Sequence, residues 1–483
     1  MSDDIRAERV KKLETLKAHG IDPYPAESHR THENGAFLKS FDSFLHSHEQ
    51  ITLAGRIMSL RDQGGIIFVD LFDGTARVQA LIKKDEVGED SFELFMEAVG
   101  ISDFVEVAGS AFTTKRGMNS LLGKSWRMLS KSLRQVPDEW FGLKDEDERY
   151  RKRYLDILLN PEVAEIIKKR STFWNAIRAF MLERDFLEVE TPVLETKTGG
   201  AEARPFTTHH KALDMETYLR ISTELWHKKL MVGGVPKVFE IGRVFRNEGM
   251  SFEHAQDYTH FEFYEAYQDA RKGVPMIIEL YRTVAEKTFG TLQFKIGDFD
   301  VDLGKEWGSY DFNDLMQKQY GFDPRAVDLQ TVRARLDIEN ISYEPNADIG
   351  RGVDLLWKKI RKTIGGPAIL TGIPVYLEPL AKKSAKDARV VDRFQILIGG
   401  SELGKAFNEL NNPLDQRERF EKQQSLRDAG DDEAQMADFE YVEAMEYGMP
   451  PIFGFGVSER LFSFLLGKSI REAQLFPLMR PKV

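Results

Sequence analysis

The 483-residue chain has no cysteine, so disulfides and thiolate metal centres are excluded. It has no uninterrupted apolar run long enough to cross a bilayer, and its start, Met1-Ser-Asp-Asp-Ile-Arg, lacks the apolar stretch of a secretion signal. A reducing cytoplasm is the expected compartment. Neither a Walker A sequence nor a glycine-rich dinucleotide fingerprint after a strand is present, which removes the two commonest phosphate-cradling loops. Charge is unbalanced toward acid, at −11 with histidine neutral, and this argues against a non-specific nucleic-acid coat. A local basic patch on an acidic protein is still compatible with RNA binding.

What is present suits a large core and at least two domains, since 42% of the residues are hydrophobic. Residues 3–19 carry Ile5, Val10, Leu13 and Leu16 at helix-like spacing, ending near Gly20 and Pro23, and predict a surface helix. Between 51 and 132, short β-rich runs are divided by Asp73-Gly74 and Arg116-Gly117, with a helix expected near 89–99. Several strands and one helix in so few residues fit a small Greek-key barrel of the oligonucleotide-binding kind. A charged connector follows at 138–153, and beyond it amphipathic helices alternate with antiparallel strand patterns. The expected class is α+β rather than a doubly wound sheet. The expected divisions are an N-terminal helical extension over 1–50, the barrel over 51–135, a connector over 136–160 and a larger domain over 161–483.

The densest chemistry is a hairpin pattern over 237–248 and 258–267. With strand period two, Arg246 and Glu248 share one face, and Tyr258, His260, Glu262 and Tyr264 share one face of the return strand, while Phe261 and Phe263 take the other. An arginine for phosphate, a ring for a flat heterocycle and carboxylates for a cation describe a site for a nucleotide beside a positively charged small molecule. The plain alternative is a hairpin with a solvated polar face.

Phe245-Arg246-Asn247-Glu248 resembles motif 2 of the class II aminoacyl-tRNA synthetases. Phe186-Leu-Glu-Val-Glu-Thr-Pro192, after a long amphipathic stretch, resembles motif 1. Gly454-Phe-Gly-Val-Ser-Glu-Arg460 and Leu475-Phe-Pro-Leu-Met-Arg-Pro481 resemble motif 3 and its tail. Within the class the likeness is closest to the lysyl-tRNA synthetases, through Gly142-Leu-Lys-Asp-Glu-Asp-Glu-Arg-Tyr-Arg-Lys-Arg-Tyr-Leu-Asp156, Gly199-Gly-Ala-Glu-Ala-Arg-Pro-Phe206 and Phe407-Asn-Glu-Leu-Asn411. It covers nearly the whole chain in order.

The resemblance implies ATP-dependent activation of L-lysine and its transfer to tRNA(Lys), on an antiparallel-sheet catalytic domain preceded by an anticodon-binding barrel. Arg246 and Arg460 are then the catalytic pair, and ATP is held by Arg246, Glu248, His254, Tyr258, Glu402 and Arg460. A planar guanidinium can grip oxyanions or stack on a base, and Tyr258 supplies a flat ring for adenine. Arg460 precedes an apolar run, where a helix start would favour nearby phosphate. Gly200 and Glu224 would hold the α-amino group of lysine; Glu409 and Tyr264, with Glu262 beside them, would meet its ε-ammonium. Arg246, Lys405 and Phe407 complete the expected lysine set. An ammonium buried without such acceptors would cost several kcal/mol. Glu402 and Gln395 stand where Mg2+ would bind.

Two strands are expected around Gly399-Gly400, and Lys405, Phe407 and Glu409 share parity while Glu402 does not; a bulge at Gly404 would restore both carboxylates to one site. In the barrel, Phe68 and Gln79 match the ring and amide that read anticodon bases, with Arg56 or Arg61 on the phosphate backbone. On its apolar neighbours alone, Phe68 reads as core. A homodimer is expected through motif 1 and the helix over 163–184, with Ile166, Ile167, Phe173, Trp174, Ile177, Phe180 and Met181 available for burial.

The chain also departs from the family pattern. Gln395 stands for a second metal-binding glutamate, Lys405 for an asparagine, Glu253 for an arginine near the γ-phosphate, and 117–119 for a segment with a glutamate; motif 3 is one residue short. Aspartyl- or asparaginyl-tRNA synthetase activity, a tRNA-binding protein that has lost activation, and a protein-lysylating relative remain as alternatives. The enzymes of the last type lack the barrel.

Overall fold

The computed structural model describes every residue except Met1, 138–142, 144, 346, 431–433 and 483. Gly142 and Lys144 of the segment quoted above, with 138–141 of the expected connector, lie outside the described residues. The chain divides into two compact units, Met1–Glu146 and Asp147–Val483. Among the described residues no helix is long and apolar enough to cross a membrane.

In the first unit, β1 (Ile51–Asp62), β2 (Ile66–Phe72), β3 (Arg77–Lys83), β4 (Phe104–Thr113) and β5 (Asn119–Ser130) close into a barrel of order β1-β2-β3-β5-β4. Alternation builds it: Ile67, Val69 and Leu71 are fully buried inside, while Ile66, Phe68, Asp70 and Phe72 are half-buried on the outside. The helix Glu89–Ala98 occupies the place expected of it and buries Phe92 and Phe95. The helix Ser2–Ala18 is present too, and its Leu13 and Leu16 are buried. Two short helices, Asn34–Lys39 and Phe41–Ser47, add Phe37 and Phe41 to the barrel core.

The second unit contains β6 (Leu187–Glu188), β7 (Leu194–Glu195), β8 (Thr207–His210), β9 (Met215–Leu219), β10 (Lys237–Phe245), β11 (Asp257–Ala266), β12 (Gln293–Ile296), β13 (Phe299–Asp302), β14 (Gly308–Asp311), β15 (Ala368–Thr371), β16 (Arg393–Ile398), β17 (Ser401–Asn408) and β18 (Ile452–Ser458). Its main sheet has the order β14-β15-β16-β17-β18-β11-β10-β6. Only the β14/β15 and β6/β10 pairs in it are parallel. The strands β7-β9-β8 and β12-β13 form two small sheets.

One face of the main sheet is a core of Phe261, Phe263, Phe453 and Phe455, packed with Phe173 and Ile177 of the helix Pro161–Leu182 and with Tyr281 of the helix Ala270–Phe289. Burying each phenylalanine contributes roughly 1.5–3 kcal/mol. The expected parity of the hairpin therefore holds, with Tyr258, His260, Glu262 and Tyr264 on the opposite face. Phe173, Ile177, Phe180 and Met181 of the helix Pro161–Leu182 lie in this core, so their burial is within the chain. The second half of the expected connector over 136–160 is helical, Glu146–Arg151 and Arg153–Leu159. Arg149 Nε and Arg153 Nη1 donate there to the two oxygens of buried Asp156, at 2.8 and 2.7 Å.

Candidate active site

A cavity of about 680 Å3 opens on the polar face of the main sheet, within the range of small-molecule sites. The hairpin, the β17–β18 pair and the helix Ile349–Arg361 wall it. The strand β10 ends at Phe245, so Arg246 and Glu248 stand in the loop beyond it and their strand parity does not apply. Both still line the cavity, as do His254, Tyr258, Glu402, Lys405 and Arg460. The backbone fixes Arg246, whose N–H donates to Gln256 O at 2.8 Å. Its guanidinium donates to Ile221 O at 3.3 Å and stands 5.7 Å from the centre of the Tyr258 ring.

Between β16 and β17 the register passes from Gln395↔Lys405 to Leu397↔Glu402, two steps against three. The extra residue is a bulge, and Gly404 takes it at φ +123°. Glu402 and Lys405 consequently both reach the cavity. Trp357 Nε1–H donates to Glu402 Oε1 at 2.6 Å. Burial alone would raise the pKa of Glu402, but Arg393 and Arg361, with the Trp357 bond, more than offset it and hold the carboxyl below its ordinary value. Arg460 opens the helix Arg460–Leu466 and is ion-paired with Glu253.

Glu224, Glu262, Tyr264 and Glu409 are brought together, but in the wall of the cavity rather than on its lining. Ser222 Oγ–H and Tyr264 Oη–H donate to the two oxygens of Glu262, both at 2.8 Å, and His260 Nε2 lies 3.2 Å from it. Lys228, a residue the sequence reading missed, is fully buried between Glu224, at 2.6 Å, and Glu409. Its signal was the Glu224/Lys228 spacing of four on a helix, which ordinarily marks a surface pair. Burial works against the Lys228 ammonium, yet Glu224 and Glu409 prevail and raise its pKa. Burial pushes Glu409 up to about 8 against the pull of Lys228, and neither of its oxygens has a well-angled hydrogen bond. Burial also favours raising Glu262, but the bond and charge of His260 outweigh it and hold that carboxyl far below its ordinary value.

Gln395 lines the cavity; its carbonyl accepts from Arg393 Nη2 at 2.5 Å and its amide N–H donates to Gly404 O at 2.8 Å. Phe407 shares the face of Lys405 but is buried in the cluster of Phe312, Trp357 and Leu370, outside the cavity lining. Gly200 is buried at φ +83°, with its N–H donating to Gln435 Oε1 at 3.4 Å. Lys405 Nζ is 3.7 Å from Glu378 and 5.0 Å from the centre of the Phe407 ring. Glu378, Arg361 and Ser401 at or beside the cavity were not foreseen, and Glu202, also on its lining, lies in the quoted Gly199–Phe206 segment without having been given a role.

On the barrel, Phe68 stands outside rather than in the core, opposite Arg61, whose guanidinium lies 5.9 Å from the centre of its ring. Gln79 pairs with Asp70, two residues along from Phe68 on the same face, and accepts from Ser120 Oγ–H at 3.3 Å. Arg56 lies 4.3 Å from the centre of the Phe104 ring and donates to Ser102 O, so it is partly occupied within the barrel. Ring, amide and guanidinium are thus presented together on one outer surface, as stacking on single-stranded bases requires.

Comparison with known proteins agrees with this layout. Residues 145–480 match the family described as tRNA synthetases class II (D, K and N), and residues 51–129 match the OB-fold nucleic acid binding domain. A lysine–tRNA ligase of Thermosipho melanesiensis is 40% identical over 488 residues, spanning 100% of this chain and 97% of that protein. Lysine–tRNA ligases of Moorella thermoacetica and Bacillus subtilis are 41% and 38% identical, spanning 99% and 100% of this chain and 98% of each relative. With its OB-fold barrel, its antiparallel sheet and the polar cavity upon that sheet, the chain belongs to the class II tRNA synthetases of the D, K and N group.

Proposed function

We propose that this enzyme activates L-lysine with ATP and transfers it to the 3′ end of tRNA(Lys), working as a cytoplasmic homodimer. The observation that carries the choice of amino acid is the buried pair Glu224 and Glu409 on the ammonium of Lys228, with Glu262 bonded to Tyr264 beside them. Burial raises the pKa of both Glu224 and Glu409, which share the one ammonium of Lys228. A second ammonium, that of the substrate, meets Glu409 oxygens that have no well-angled hydrogen bond.

In the first step a lysine carboxylate oxygen attacks the α-phosphorus of ATP, the bond to the β,γ-pyrophosphate breaks, and lysyl-adenylate forms. In the second the terminal ribose hydroxyl of the tRNA attacks the lysyl carbonyl and AMP leaves. Arg246 bridges the carboxylate and the α-phosphate, Tyr258 stacks on adenine and Glu248 faces its amino group. Arg460 balances charge on the polyphosphate, so catalysis is positioning and charge stabilisation without a covalent enzyme nucleophile. Glu402 fits magnesium, because its ionised carboxylate faces the cavity and Mg2+ binds through one or two carboxylates with phosphate oxygens and water. When bound, the ion supplies charge neutralisation to the phosphates. Gln395, also on the cavity lining, would add an uncharged oxygen ligand beside Glu402. In the first unit Phe68 and Gln79 take anticodon bases and Arg61 the phosphate backbone.

The test is attachment of labelled amino acids to unfractionated tRNA in the presence of ATP. Lysine alone should be attached. Aspartate or asparagine in its place would move the chain to its neighbours in the group, and no attachment by a folded protein would make it a tRNA binder.

A further inference from the structure

Glu195 is a buried carboxyl that neither the lysine nor the nucleotide reading uses. It stands on β7, is 7% exposed, and accepts from Trp226 Nε1–H at 2.6 Å through Oε1. Its Oε2 is buried and has no hydrogen-bond partner among the described residues. Burial pushes the carboxyl up to about 7, against the Trp226 bond and the charges of Arg220 and Lys229. Those two cations are committed elsewhere: Arg220 Nη1 lies 2.6 Å from Glu240, and Lys229 Nζ lies 3.3 Å from Asp438 Oδ2. Asp438 Oδ1 accepts from the Tyr441 N–H at 3.0 Å and caps the helix Phe439–Glu446. Exposed Lys197 and Glu440 at the rim carry opposite charges. Ionised Glu195 therefore stands as one negative charge in excess, in a buried place that disfavours an unpaired ion.

Glu195, Thr196, Gly199, Ser222, Trp226 and Asp438 line a second cavity, of about 40 Å3, which shares no lining residue with the larger one. It has room for water-sized species and is far below the size of a site for an organic ligand. One uncommitted carboxylate with the hydroxyl groups of Thr196 and Ser222 suits a singly charged ion. No group of three His, Asp or Glu able to hold a metal ion occurs among the described residues, so a divalent ion lacks its carboxylates here. The cavity also adjoins the lysine pocket: Ser222 Oγ–H donates to Glu262 at 2.8 Å, and Trp226 belongs to the helix Glu224–Val232 that carries Glu224 and Lys228.

We propose that this cavity is a site for a monovalent cation the size of a water molecule, such as potassium or ammonium, held by Glu195 and tying β7 to the helix Glu224–Val232. The cation and a proton compete for the same carboxylate. Because the carboxyl is pushed up to about 7, cation binding strengthens as pH rises through that value and is lost below it. The site does not depend on which amino acid the enzyme activates.

The test is thermal unfolding of the full chain in potassium chloride, ammonium chloride and choline chloride at equal ionic strength, which holds screening constant, for wild type and Glu195→Gln. At pH 8 potassium or ammonium should raise the wild-type Tm above its value in choline by about 2 °C or more, and the gap should shrink at pH 6. Glu195→Gln keeps an acceptor for Trp226 and should show no gap at either pH. Equal Tm values for wild type in all three salts at pH 8 would overturn the site and leave the cavity to water. A gap that persists unchanged in Glu195→Gln, or that does not shrink at pH 6, would place the cation elsewhere and overturn it too. The wild-type pH comparison needs no variant, so it decides the matter even where Glu195→Gln fails to fold.

Discussion

Glu409 ties the chemistry of the site to its charge. Glu409→Gln keeps volume and removes the charge, so the lysine KM should rise by the worth of one charge-assisted hydrogen bond, roughly 1.5–3 kcal/mol, while the ATP KM holds. Burial pushes the Glu409 carboxyl up to about 8 and raises Glu224 beside it, so proton uptake belongs to the two carboxyls together. An ammonium ligand favours the ionised form and expels that proton, so lysine should bind more tightly as pH rises through about 8 and level off above it. The pH profile of the lysine KM checks this, and Glu409→Gln should flatten it. Glu262 and Tyr264 were legible as residues of this face from period two alone. Lys228 was not, because only tertiary packing tells a buried i,i+4 pair from a surface one. Phe407 has the expected parity and is buried against Phe312 and Trp357, packing that only the tertiary structure shows.

Among the elements, the β17 bulge does most to assemble the site. Glu402 and Glu409 have opposite parity, and a single extra residue at Gly404 lets Glu402 and Lys405 both face the cavity. That bulge was readable, since a glycine stood between two residues that chemistry wanted on one face. A side chain at Gly404 would be strained at φ +123° and would place its Cβ 2.5 Å from Tyr281 Oη and 3.0 Å from Phe455 Cε2. Gly404→Ala should therefore cost about 1–3 kcal/mol of stability from strain alone. Thermal unfolding should show it as a lower Tm, and the ATP KM should rise with it as Glu402 turns. The end of β10 was less legible, because the residues from Phe245 to Glu248 continue a period-two pattern that the chain abandons at Phe245.

At the scale of the whole molecule, the barrel and the antiparallel sheet were both visible as alternation divided by turns. The charged connector was visible as well, but not the Asp156 pairings that hold its helices, which join residues brought together only by folding. The proposed dimer needs apolar surface left over from the core, and Leu182, Leu187, Val193 and Leu194 around motif 1 provide it, each between 41% and 56% exposed. Sedimentation should give a dimer at working concentration, and Leu187→Asp with Leu194→Asp should shift it toward monomer; an active wild-type monomer would refute the assembly. The central claim is that this site activates lysine, and amino-acid-dependent ATP–pyrophosphate exchange with each of the twenty amino acids tests it most directly. Exchange that requires lysine and no other amino acid is the predicted result; exchange driven by aspartate or asparagine, or none from a folded protein, would contradict it.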